Sequence, residues 1–220
     1  MANPEHVDLL IKGGVEEWNK FRRNSQSPQP DLSGADLSGY DFTGLDLSHA
    51  NLEDVDLSDA YLFRANLTEA NLTRANLTEA DILEANFIKA NLSYATMLRV
   101  DLSATGLIAC NLEGVNLEGS NLTRASLPWA NLTNANLSKT KLHLTDLREA
   151  KLVHANLKGA SLQDASFTGA ILQEANLLGV TNVSIDLLAK AKTLYLAALD
   201  EELKDQLLNG HPHLFEKPHT

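Results

Sequence analysis

From Leu32 to Leu177 a large apolar side chain recurs at every fifth residue, with no insertion and no missed beat. Of these thirty positions twenty-five are Leu, and the others are Phe42, Ile82, Phe87, Met97 and Phe167. A second series, two residues earlier, is mostly Ala, and the residue between the two is usually Asp or Asn. Helices repeat near 3.6 residues and strands at 2, so neither has this period. In an extended segment residues two apart share a side, so the Ala and the Leu face inward while the Asp or Asn faces out. A straight continuation would bring the next Leu to the wrong side. The chain therefore turns once per pentapeptide, at the two residues after each Leu, where Ser, Thr, Gly, Asp and Glu suit a corner. Four turns close a coil of about twenty residues, and successive coils pair edge to edge at ~4.8 Å. The pattern predicts an all-β solenoid of parallel coils in which no coil is stable alone.

A stack of coils ends in unpaired edges and an open apolar cross-section, which need covers. Residues 5–23 place Val15, Trp18 and Phe21 three apart, opposite Glu16, Glu17, Lys20 and Arg23, which predicts an amphipathic helix with Trp18 as its anchor. The stretch NSQSPQP, residues 24–30, breaks that helix and leads into the first coil. At the other end Asn182 stands where Leu was due, so the repeat is expected to stop. Residues 184–218 read as a short helix from Ser184, a link, and a second helix with Asp200 as N-cap and Gly210 then Pro212 as stop. The expected organisation is an N-terminal helical cap and linker over 1–29, a β-helix of thirty repeats in about seven and a half coils over 30–179, and a helical C-terminal cap and tail over 180–220.

The tandem A[DN]Lxx unit, as in ANLTEANLTRANLTEA at 65–80, resembles the pentapeptide-repeat family. That resemblance covers residues 30–179 and implies a right-handed quadrilateral parallel β-helix. WNKFRR before DLSGADLSG, and AKTLYLAALDEELKDQLL with PHLF after the repeats, look like the flanks of cyanobacterial members. Such proteins are associated with regulation, and a gyrase-inhibiting branch is held to imitate B-form DNA and to join subunits through its C-terminal module. By capping, the present module is expected to leave a monomer; the family offers a tail-to-tail dimer as the alternative.

The net charge of −11, from 29 acidic and 18 basic residues, argues against a surface that binds nucleic acid directly. The acid is uneven. Residues 31–60 hold eight Asp or Glu and no Lys or Arg, whereas 61–179 hold eleven acidic and ten basic residues. The start MANPEHVDLLIKGG has no apolar run of signal-peptide length, and no segment approaches the ~20 apolar residues of a membrane helix, so a cytoplasmic protein with no membrane contact is expected. The single Cys110 occupies an inward Ala position, as a core residue would. Eight Asn-x-Ser/Thr triplets are what ANLT and ANLS spell, without a glycosylation signal. No nucleophile elbow, phosphate loop or converging histidines stand out, so neither an enzyme nor a cofactor or metal site is expected. The tail HPHLFEKPH is the weak exception, as a loose metal binder.

Function then falls to the outward side chains. Residues twenty apart stack, and one column reads Ile88, Ile108 and Pro128 with Trp129 beside the last. On the preceding side lie Tyr61, Phe63 and Leu83, while Tyr94 and Leu98 decorate the other two sides. The sequence reading is a noncatalytic interaction scaffold that meets an unidentified protein partner through Tyr61, Phe63, Leu83, Ile88, Leu98, Ile108 and Trp129. The alternative is an acidic DNA mimic that binds a topoisomerase such as gyrase.

Overall fold

The structure is a computed structural model that describes residues 2–24 and 29–218. Each coil takes twenty residues and closes through four parallel rungs. Bridges join residues i and i+20 at every fifth position from Asp31↔Asn51 to Ser161↔Thr181, with one exception treated below. We number the sides in chain order: face 1 is 30–34 and its equivalents every twenty residues, face 2 is 35–39, face 3 is 40–44 and face 4 is 45–49. All thirty members of the Leu series are buried, and from Leu45 to Ala175 so is the smaller series two residues earlier. The inside of the rod is thus dry and filled by paired large and small side chains, as packing to interior density requires.

The corners are formed by the fifth residue of each repeat, and all thirty have positive φ near 55° to 71°. Only eight are Gly; twenty-two carry a side chain. Left-handed backbone costs a non-glycine residue roughly 1–2 kcal/mol. The cost is offset locally at most corners, where the N–H two residues after the inward Leu donates to the coil above, as in Asp54 to Thr73 O at 2.9 Å. Turn hydrogen bonds such as Ala50 N–H to Leu47 O, 3.0 Å, close the same corner.

Outward Asn side chains add a second ladder. Most of these amides donate to the Oδ1 one coil below, while the Oδ1 of the same residue accepts the N–H two residues on. Asp31, Asn51, Asn71, Asn91, Asn111 and Asn131 run up face 1 in this way. This explains the residue type at the middle position, since Asn is both donor and acceptor there and Asp is acceptor only.

Helix α1, Pro4–Arg22, bends at Gly14, whose φ of 68° interrupts the helical run. Its side chains supply the bonds that a preceding coil would have made. Trp18, wholly buried, donates from Nε1 to Asp46 O at 2.8 Å, and Asn19 accepts from Asp46 N–H and donates to Gly44 O. Arg22 donates to Ser48 O, His6 Nδ1 accepts from Asp31 N–H, and Asn3 N–H donates to Asp31 O. Tyr40 occupies an inward position yet is exposed, stacked on Phe42 with centroids 5.7 Å apart. It lies on face 3 of the first coil, where no coil packs below. The linker NSQSPQP falls largely outside the described residues.

Beyond residue 179 the structure departs from the sequence expectation. The repeat does not stop at Asn182. Helix α2, Ile185–Leu188, replaces one side of a coil and adds two residues, after which Thr193 bridges Ile171 and Ala198 bridges Asn176, both 22 residues back. Leu194 and Leu199 are buried above Leu172 and Leu177, and Leu196 repeats the left-handed corner of Glu174. The segment between the two expected helices is therefore coil, not a link. It was hidden because the insertion shifts the five-residue count. Helix α3, Glu201–Gly210, and a 3-10 turn, Pro212–Phe215, follow. Asp200 takes the N-cap position of α3, but its side chain accepts from Gly179 N–H at 2.9 Å. Leu194 N–H donates to Leu214 O at 2.7 Å, so the 3-10 turn covers the last edge of face 1.

The exceptional rung is Asp81 with Asp101, on face 3. Their bridge is absent, and Ile82, Glu84 and Asp101 N–H make no backbone bond to the neighbouring coil. Two features coincide there. The stacked residues are both carboxylates with no amide to donate between them, and the inward small residue of that side changes from Ala80 to the bulkier Val100. Asp36 and Asp56 also stack, over Ala35 and Val55, and keep their bridge, so the two features together do not by themselves open a rung. By native-state hydrogen exchange, the amides of Ile82, Glu84 and Asp101 should exchange faster than those of Leu62, Arg64 and Asp81 one coil below. Asp101→Asn should slow them by supplying the missing donor, and equal protection in the wild type would show that the rung is closed.

Candidate interaction surface

Outward positions can be sorted by face and coil. Face 3 carries Tyr61, 53% exposed, with Phe63 half-buried and Leu83 36% exposed one coil above it. Arg64 lies 4.8 Å over the Phe63 ring and pairs with Glu84 at 2.7 Å. Face 4 carries Ile88 and Ile108, each half-buried by its stacked neighbours, and ends in Trp129 at a left-handed corner, 64% exposed. Pro128, the third member of that column, is buried and presents little surface. Leu98 sits on face 2, opposite face 4, so it does not join the others. Tyr94, on face 1, lies over Gly114, where a Cβ would clash with its ring, and its hydroxyl donates to Glu113. The Glu113 carboxylate raises the Tyr94 phenol above its ordinary range.

Faces 3 and 4 share a corner column, Arg64, Glu84, Ala104 and Arg124. One coil there is free of charge across the corner, since Ser103, Ala104, Gly106, Ile108 and Ala109 carry none. Leu83 below and Trp129 above extend this path. Six of the seven residues singled out from sequence therefore lie on two adjacent faces.

Charge elsewhere is mostly neutralised between coils. Arg74 donates to Asp54 at 2.7 Å and to Glu53 at 2.6 Å; Lys89 pairs with Glu69 at 3.3 Å, Lys139 with Glu118 at 2.7 Å, and Arg99 with Glu79. The guanidinium holds the Asp54 carboxyl below the usual carboxylate range, and the Lys139 ammonium does the same to Glu118. These pairs are exposed and contribute little to stability, but they remove the continuous acidic surface that the composition suggests. The unpaired acid is concentrated at the first coil, where Asp36 and Asp41 turn back to bond Ser38 and Thr43.

Of the remaining reactive groups, Cys110 is buried and donates to Phe87 O at 2.7 Å. Burial pushes its thiol up to about 12. His143 and His154 lie on opposite faces; the rings of His211 and His213 are 6.2 Å apart, and His219 falls outside the described residues. Among the described residues no group of three His, Cys, Asp or Glu is placed to hold a metal ion, and no helix is long and apolar enough to cross a membrane.

The family model of pentapeptide repeats matches over residues 29–59, 56–93, 70–107, 110–148 and 140–179. The chain belongs to the pentapeptide-repeat family. Similar solved structures include HetL, a pentapeptide-repeat protein involved in heterocyst differentiation regulation from the cyanobacterium Nostoc sp. strain PCC 7120, at 35% identity over 70% of this chain and 78% of that one, TM-score 0.47. QnrB1, a plasmid-mediated fluoroquinolone resistance protein, is 17% identical over 81% of this chain and 90% of its own, TM-score 0.35. Rfr23 from the cyanobacterium Cyanothece 51142 is 20% identical over 77% and 91%, TM-score 0.15. No curated protein matches.

The core position of Cys110 in this pentapeptide-repeat protein has a direct check. With iodoacetamide at pH 8 the native thiol should stay unmodified for hours and react within minutes once denatured. Rapid labelling of the folded protein would show that the coil opens around residue 110.

Proposed function

We propose that this pentapeptide-repeat protein is a noncatalytic cytoplasmic scaffold, a right-handed four-sided rod closed by α1 at one end and by α3 and the 3-10 turn at the other. It meets a protein partner through the apolar side chains around the corner of faces 3 and 4. The observation that carries this reading is Trp129: a large aromatic residue, 64% exposed, on a left-handed corner where most other repeats have Gly or a charged or polar residue. Nothing in the fold requires it there, and exposed aromatic anchors are typical of protein contacts. Tyr61, Leu83, Ile88 and Ile108 supply the surrounding apolar surface; Leu98 is outside it.

Mimicry of duplex DNA ranks behind this reading. It needs rows of uncompensated acid, and the corner acids between residues 53 and 118 are largely matched by Arg or Lys one coil away.

Affinity capture from a lysate of the source organism should retain a partner with the wild type and with Leu98→Asp, and lose it with Ile108→Asp/Trp129→Ala. All three proteins should have the same melting temperature. Equal capture by all three would remove the patch from the account. Inhibition of gyrase supercoiling at stoichiometric protein would favour the mimic.

A further inference from the structure

Face 4 is bordered by two corner columns whose charges oppose each other coil by coil. On the face 3 side the column reads Arg64, Glu84, Ala104, Arg124; on the far side it reads Glu69, Lys89, Ala109, Trp129. Positive faces negative, negative faces positive, Ala faces Ala, and a cation faces an indole. Among the described residues Arg124 has no ion pair of its own. Between these rims the middle of the face is equally uneven. Ile108 projects, while Gly106 takes the outward position that is usually Asp or Asn and leaves a notch.

The fold does not ask for glycine at residue 106. Its φ is not in the left-handed region, and an added Cβ would meet only Asn86 Oδ1, at 3.9 Å. On face 4 the side-chain ladder runs from Asn66 to Asp46, and Gly106 adds no side chain with which to extend it.

We propose that face 4 docks a second copy of this chain, with the two rods side by side and parallel about a twofold axis along the rod direction. Such an axis brings each rim against the other rim of the partner copy at the same height. Arg64 then meets Glu69, Glu84 meets Lys89, Arg124 covers Trp129, and Ile108 enters the notch at Gly106, each contact made twice. An antiparallel pair would instead set Glu69 against Glu149 and Arg64 against Leu144. Flat β-helix faces of identical pitch stay in register along their length, and sheets pack about 10 Å apart, within reach of Arg, Lys and Glu side chains. The matched strip is four coils high, about 19 Å, and smaller than the ~800 Å² per partner of a standard interface. The dimer is therefore reversible and appears as protein concentration rises. This deepens the scaffold reading, on which it rests only in taking face 4 as a protein-binding surface.

Sedimentation velocity from micromolar to millimolar protein is the first test, and the wild type should shift from monomer toward dimer. Gly106→Asn, which fills the notch with the residue most repeats use, should leave the melting temperature equal or higher and weaken dimerisation at least tenfold. Orientation is read by a short bis-maleimide. In the parallel pair Ala104→Cys and Ala109→Cys chains cross-link when mixed and not when alone, while an antiparallel pair gives the reverse. A wild type that stays monomeric to millimolar concentration, a Gly106→Asn protein that dimerises normally, or cross-linking of each variant alone would overturn the proposal. Partner capture through Ile108 and Trp129 by a strictly monomeric protein would overturn the dimer and leave the scaffold standing.

Discussion

The structure depends on one constraint: every coil must offer its neighbour the same backbone donors and acceptors at the same height. Twenty residues per coil meet it only if each pentapeptide bends by the same angle, and the left-handed corner residue makes that bend. The inward Leu and Ala are consequences of this geometry as much as its cause. They fill a tube whose width is set by four three-residue sides, so a large residue must be accompanied by a small one.

The ends obey the same constraint by other means. Helix α1 meets the first coil with side chains in place of a backbone: Trp18, Asn19, Arg22 and His6 bond to groups of faces 1 and 4 that a lower coil would have bonded, and Asn19 also donates to Gly44 O. At the far end the chain continues the coil through a two-residue insertion before α3 and the 3-10 turn cover it. Both solutions protect edges that would otherwise pair with other chains.

The period of five fixed the inside and outside of residues 30–179 from sequence alone, because each repeat reports the same environment and thirty reports agree. What lay outside that redundancy was harder to read. Twenty-two corners adopt positive φ with Glu, Arg, Asp, Lys and even Trp, and only eight display the glycine that would have announced it. His6 and Asn19 gave no sign of edge bonding, since their partners are backbone groups 25 to 27 residues away. The coil at 191–199 was masked by α2, and Pro128 looked like exposed surface because a column position does not reveal what its neighbours cover. Of the candidate surface, the sequence identified the residues and the geometry sorted them, setting Leu98 apart from the six around faces 3 and 4. Gly106 was legible only in retrospect, as the one outward position of face 4 where the fold tolerates a side chain and the sequence withholds it.

The central claim is that the core and ladder hold the rod while face 4 is free for recognition. Thermal unfolding of Ile88→Thr/Gly106→Asn/Ile108→Thr/Trp129→Arg, which gives face 4 the outward residues of its sister repeats, tests it most directly. The account predicts a melting temperature equal to or above that of the wild type. A fall of more than about 5 °C, equivalent to more than ~1 kcal/mol for a chain of this size, would mean that the apolar strip is part of what keeps the rod folded.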